Sequence, residues 1–136
     1  MTYKSIACIA DDSEKASSLY KELSSKYKFI SEPEKADVIV VLGGDGFMLH
    51  CLHENMSLDI PFYGINCGTV GFLMNEHNDN NLEEHLAAAK TEVINPLHMV
   101  AKTKDGTEQH ALSVNEVSLL RSSRQAANLR ISIDGM

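Results

Sequence analysis

The sequence predicts an α/β protein: a doubly wound parallel sheet, followed by the start of an antiparallel all-β unit. Three observations predict it. Val38-Ile39-Val40-Val41-Leu42 is a continuous apolar run rich in β-branched residues, the pattern of a strand buried on both faces of a parallel sheet. Strand-like and helix-like segments alternate as far as about Glu92. Beyond Glu92 no helical period remains, and short apolar runs separated by Asp-Gly turn signals replace it.

Taken in order, Ser5 to Ala10 reads as a first strand. Asp11-Asp12-Ser13-Glu14 reads as a helix start, with carboxylates at the positive end of the helix dipole. Ala16, Leu19, Tyr20, Leu23 and Tyr27 recur at helical spacing, which predicts an amphipathic helix over Ser13 to Tyr27. Glu32-Pro33 is a loop, and Val38 to Leu42 is the central strand. A short helix is expected over Phe47 to His53, a third strand over Pro61 to Asn66, and a helix over Asn80 to Lys90. Leu97 to Thr103 and Gln109 to Val114 predict a hairpin closed by a type I′ turn at Asp105-Gly106. Val117 to Leu120 and Leu129 to Ile133 are expected as two further strands. The closing Asp134-Gly135-Met136 is a second hairpin signal with no return strand. An unpaired terminal strand is a liability that folds avoid. The expectation is therefore a front part of a longer protein: an α/β domain over 1–92, and the beginning of a β-sandwich domain over 93–136.

Composition bounds the function. The chain has 136 residues, of which 43% are hydrophobic, enough for a packed core. Lys and Arg number 12 against 19 Asp and Glu, a formal charge of −7 without any basic run, which argues against nucleic acid and anionic membrane as partners. Phosphorylated small molecules remain open, because backbone amides, helix N-termini and a metal ion can bind them. Cys8, Cys51 and Cys67 are widely spaced with no C-x-x-C, so they read as small buried residues of a reducing compartment. No membrane span or cleavable signal pattern is present, which predicts a cytoplasmic protein.

Three constellations carry chemistry. Gly43-Gly44-Asp45-Gly46 follows the central strand directly, so it places a carboxylate at a carboxyl strand end, where ligands of open α/β sheets sit. It is neither a Walker A loop nor G-x-G-x-x-G. An Asp in such a turn can take a proton from an attacking hydroxyl or orient that hydroxyl; the plainer reading is a tight turn with a capping Asp. Asn66-Cys67-Gly68-Thr69-Val70-Gly71-Phe72-Leu73 is a second glycine loop after a second strand, facing the same crevice. Asn115-Glu116 pairs donors and acceptors suited to hydroxyls and ring nitrogens, or is simply a solvent-facing strand end. His50, His53 and Glu54 lack the H-E-x-x-H pattern and a third ligand, so a solvent-facing helix face is preferred to zinc, and no metal ligand is assigned.

In this order the three constellations resemble the NAD kinase family. Its G-G-D-G turn is matched by Gly43 to Gly46, its N-x-G-x-x-G-F-L loop by Asn66, Gly68, Gly71, Phe72 and Leu73, and its Asn-Glu pair by Asn115 and Glu116. The G-G-D-G turn is shared with diacylglycerol, sphingosine and phosphofructokinase relatives; the other two motifs point to NAD kinase. The resemblance implies a Rossmann-like first domain and ATP-dependent phosphorylation of the 2′-hydroxyl of the adenosine ribose of NAD, giving NADP. By the same resemblance Asp45 is the general base or hydroxyl-orienting group. Gly44 and Gly46 frame the approach to phosphate and ribose, and Asn66 and Gly68 belong to the binding loop. Phe72 packs near adenine, and Asn115 and Glu116 contact the adenosine part of NAD. A divalent metal, normally Mg²⁺, accompanies ATP, and a homo-oligomer (dimer or tetramer) is implied. Phe47 departs from the small or hydroxyl residue common after the turn, and the family's later Gly/Ser/Thr-rich nucleotide motif has no match in these residues. The alternatives are an NAD-binding but catalytically incomplete fragment, and a lipid or sugar kinase of the same superfamily, against which the Asn66–Leu73 loop argues.

Overall fold

A computed structural model describes residues 3–69, 71–77 and 81–136. The central strand is where the apolar run predicts it. β2 (Val38–Gly43) is buried along its whole length. β1 (Ile6–Ala10) and β3 (Phe62–Asn66) flank it, and all three run parallel in the order β1-β2-β3. Because side chains alternate along β2, its two faces serve two cores. Val38, Val40 and Leu42 pack with Ala16, Leu19 and Leu23 of helix α1 (Glu14–Lys26) and with Leu82 and Leu86 of helix α3 (Leu82–Ala88). Ile39 and Val41 pack with Met48 and Cys51 of helix α2 (Asp45–Glu54) on the opposite face. Helices on both faces bear out the doubly wound sheet.

The reversal of winding can be located. Ala7 pairs with Ile39 on one edge of β1 and with Ile30 on the other, both parallel. The Ile30 amide donates to the Ile6 carbonyl at 2.9 Å. The chain therefore leaves β1 through α1 and reaches Ile30 on the outer edge. It then returns through a 3₁₀ turn (Pro33–Lys35), with Ile30 and Ala36 packed in the α2-side cluster, to β2 on the inner edge. Winding continues in that direction to β3. The switch point lies between β1 and β2, and ligands of such sheets bind in the crevice at the carboxyl ends of strands there.

α1 begins as expected: the Ser13 hydroxyl accepts from the Ala16 amide at 3.2 Å, and the Asp11 carboxylate accepts from the Ser13 amide at 2.8 Å. α2 is longer than predicted and starts at Asp45 itself, so the carboxylate of the glycine turn is a first-turn helix residue. α3 is shorter than predicted at both ends; Asn80, where it was expected to begin, lies outside the described residues.

After residue 92 the fold changes character as the sequence indicates. β4 (Leu97–Lys102) and β5 (Glu108–Ser113) form an antiparallel hairpin. Its turn differs from the expected type I′. Thr103 and Thr107 close a three-residue loop, and of the central residues only Gly106 has positive φ, +88°. This is the hairpin class in which one glycine takes the left-handed position after a tight turn. The type I′ geometry appears instead at Asp134 and Gly135, with φ of 51° and 81°, where Ile133 and Met136 exchange both backbone bonds at 3.0 Å. The strands expected at Val117 to Leu120 and Leu129 to Ile133 are not formed. Strand conformation is held by a hydrogen-bonded neighbouring strand, and among the described residues neither segment lies beside one; Ile133 bonds only across its own turn to Met136, and Leu119 and Leu120 stand more than nine-tenths exposed.

Candidate active site

Two glycine loops meet at the carboxyl ends of β2 and β3. Register alone brings them together, since Gly43 and Asn66 are paired across the strands. The Cys67 amide then donates to the Gly43 carbonyl at 2.8 Å. Gly43 has a packing reason to be glycine: a Cβ there would lie 2.8 Å from the Phe47 ring and 3.0 Å from the Asp11 carboxylate. Gly44 and Gly46 have no such reason. A Cβ on either would meet nothing within 4 Å, and neither has a left-handed backbone. Both border open space.

Asp45 is half-buried at the start of α2, next to Gly44, which contributes no side-chain cap. The first-turn amides of a helix have no intrahelical partner, and the dipole there favours negative charge. The carboxylate reaches across to the second loop. Its Oδ2 accepts from the Phe72 amide at 2.7 Å and its Oδ1 from the Leu73 amide at 3.0 Å. Asn66 shapes that loop from within. Its Oδ1 accepts from the Gly68 amide at 2.8 Å, and its Nδ2 donates to the Thr69 carbonyl. Phe72, whose amide meets the carboxylate, is 98% exposed, an aromatic residue outside both core clusters. On the α1 side of the loop a groove of about 330 Å³ is lined by Lys15, Ser18, Glu22, Asn66 and Gly68.

Of the residues singled out from sequence, Gly44, Asp45, Gly46, Asn66, Gly68 and Phe72 are thus gathered at one end of the sheet. Asn115 and Glu116 are not brought to them. They follow β5, exposed; their side chains hydrogen-bond to each other, and the Glu116 carbonyl accepts from the Ser113 hydroxyl at 2.6 Å. No hydrogen bond among the described residues joins the pair to Asp45. His50 and His53 lie exposed on α2.

Two residues carry more of the site than the sequence reading gave them. Asp11, read as a helix-start carboxylate, closes the β1 end of the switch point. Its amide donates to the Leu42 carbonyl at 2.9 Å, and its carboxylate lies against Gly43. Its place directly after a strand was the available signal. Gly71, read only as a motif member, underlies the Asp45 carboxylate. Among the described residues no group of three His, Cys, Asp or Glu side chains is close enough to hold a metal ion. Burial pushes the Cys8 thiol up to about 12, with Cys67 adding to it, and burial likewise raises Cys67, with the Asp11 charge contributing, so both favour the thiol over the thiolate.

The family model described as the ATP-NAD kinase N-terminal domain matches residues 4–92. The chain belongs to that family. It is 50% identical over 135 residues to the NAD kinase of Cereibacter sphaeroides, a match covering 99% of this chain and 53% of that protein. It is 50% identical to the NAD kinase of Caulobacter vibrioides, over 96% of this chain and 50% of that protein. It is 41% identical to the NAD kinase of Rickettsia bellii, over the whole chain and 53% of that protein. The chain spans about half the length of the curated relatives it matches. The matched 4–92 segment coincides with the parallel α/β unit and both glycine loops, while the hairpin lies outside it. No helix among the described residues is long and apolar enough to cross a membrane.

Proposed function

We propose that the protein carrying this chain is an NAD kinase, transferring the γ-phosphoryl group of ATP to the 2′-hydroxyl of the adenosine ribose of NAD. The observation that carries the reading is the Asp45 carboxylate, presented at the switch point of the sheet on one glycine loop and held by a second. Phosphoryl transfer asks little covalent chemistry of the protein; positioning and charge stabilisation dominate.

Asp45 accepts the proton of the 2′-hydroxyl as its oxygen forms a bond to the γ-phosphorus, while the bond from that phosphorus to the β–γ bridging oxygen breaks and ADP departs with the electron pair. Gly44 and Gly46 leave room for ribose and phosphate against the main chain, where α2 offers uncapped first-turn amides. The exposed ring of Phe72 stacks on adenine. Asn66 and Gly68 hold the binding loop in shape, and Asn115 and Glu116 reach the adenosine part from the second domain. A divalent ion, Mg²⁺ by preference, would enter with ATP and would supply charge neutralisation of its phosphates. Asp11 after β1 and Asp45 after β2 are the carboxylates that the strand ends bring to the site and would be the hard oxygen donors available to such an ion.

We assign 1–92 as the α/β domain and 93–136 as the first part of a β-sandwich domain; the hairpin's distinct sheet supports the division. A cytoplasmic homo-oligomer completes the reading. The test is an acceptor panel with ATP and Mg²⁺: NAD, diacylglycerol and fructose 6-phosphate. The proposal expects phosphorylation of NAD alone. Transfer to either of the others in preference to NAD would replace it with a lipid or sugar kinase, and NAD binding without transfer would replace it with a binding module.

A further inference from the structure

We infer that the second glycine loop is the positioning device of the Asp45 carboxylate, with the Phe72 and Leu73 amides as its clamp and Gly71 as the residue that makes the clamp possible. The inference rests on the reading of Asp45 as the base. Both carboxylate oxygens are taken by consecutive backbone amides, at 2.7 and 3.0 Å. Two parallel bonds to one carboxylate fix the plane of the group, and with it both side-chain torsions, where a single bond would leave the group free to swing. Each oxygen accepts more than one hydrogen bond, so the clamp orients the carboxylate without consuming its capacity to meet a hydroxyl.

Gly71 has no conformational reason to be glycine, since its backbone is not in the left-handed region. Its reason is space. A Cβ there would lie 2.4 Å from Asp45 Oδ1, 3.0 Å from Cγ and 3.2 Å from Oδ2. An alanine would overlap the carboxylate itself, so either Asp45 turns away or the loop retreats and both amide bonds lengthen. Seating of the second glycine loop and alignment of the Asp45 carboxylate are therefore coupled through Gly71. The loop contributes to the rate through Asp45, from positions that need not touch the reacting atoms.

The test combines an activity-free readout with a kinetic cycle. Amide hydrogen exchange at Phe72 and Leu73 is expected to be slow in the unaltered protein and faster in Gly71→Ala and in Asp45→Ala. Unchanged exchange in Asp45→Ala would overturn the clamp whatever the activity. In the protein carrying this chain, Gly71→Ala is expected to lower kcat on the order of 10²-fold, as for an ångström-scale misplacement of a catalytic group, with KM for NAD little altered. The double variant Gly71→Ala/Asp45→Asn is expected to be no slower than Asp45→Asn alone. Additive losses would mean that Gly71 acts independently of the carboxylate, and the inference would fall. Accelerated exchange in both variants of a protein that phosphorylates no NAD would leave the clamp standing and remove the kinase reading instead.

Discussion

Asn66 offers a quantitative probe of the second loop. Its main chain is held independently of its side chain, since its amide donates to the Asn75 carbonyl at 2.8 Å and its place in β3 is set by pairing with Gly43. Asn66→Ala therefore removes only the side-chain bonds to Gly68 and Thr69. At about 1 kcal/mol for each net hydrogen bond, the loop loses about 2 kcal/mol of order. At 1.4 kcal/mol per factor of ten, that is a fall of ~30-fold in the ratio of ordered to opened loop. Asn66→Asp keeps the acceptor for Gly68 but sets a carboxylate against the Thr69 carbonyl, so its effect on exchange should be of similar sign and smaller at Gly68 than at the following residues. Both bonds are local and near the surface, so the melting temperature should move by no more than a few degrees. The assay is amide exchange at Gly68 together with kcat/KM for NAD. Protection at Gly68 unchanged in Asn66→Ala, or full kcat/KM beside lost protection, would refute the argument that this side chain orders the loop for catalysis.

Two further outcomes concern stability. Leu42 is fully buried at the end of β2 below the site, so Leu42→Ala should destabilise by about 3–5 kcal/mol, read as a lowered urea midpoint at constant slope. Asp37 accepts from the Lys4 and Ser5 amides at 2.8 Å each, and these bonds hold its carboxyl below the ordinary carboxylate range. A depressed folded pKa gives stability that is fully present above the unfolded value of about 3.9 and is lost as pH falls through the lower folded value. Melting temperatures between pH 6 and pH 2 should therefore fall less steeply for Asp37→Ala than for the unaltered protein, and parallel curves would exclude this contribution.

Much of the α/β unit is written locally in the sequence. β2 is legible because a strand buried on both faces must be apolar at every position, and α1 because burial of one face imposes the spacing of Ala16, Leu19 and Leu23. The switch of winding is not legible, because it hangs on a single bridge at Ile30 with no strand-length signal. The Asp-Gly dipeptides show a second limit. The same pair closes a three-residue loop after Thr103 and a two-residue turn after Ile133, because the flanking residues that pair, and not the dipeptide, set the loop length. Val117 to Leu120 and Leu129 to Ile133 have strand composition, but a strand also needs a partner, and composition does not supply one. At the site, the glycine turns and Asp45 could be read directly. The clamp could not, since residues 45 and 71–73 meet only through the register of β2 and β3. Asn115 and Glu116 were recognisable as a pair, while the sequence carries no information on the distance between them and Asp45.

The central claim, that Asp45 performs the proton chemistry of NAD phosphorylation, is tested most directly by Asp45→Asn. The change preserves shape and one acceptor oxygen for the clamp, and removes the basic carboxylate. ATP-dependent formation of NADP and the affinity for NAD should be measured on the same preparations of the protein carrying this chain. The account predicts a rate lower by ~10²–10⁴, the contribution of a general base, with NAD affinity largely retained. Turnover within a few-fold of the unaltered protein would contradict it.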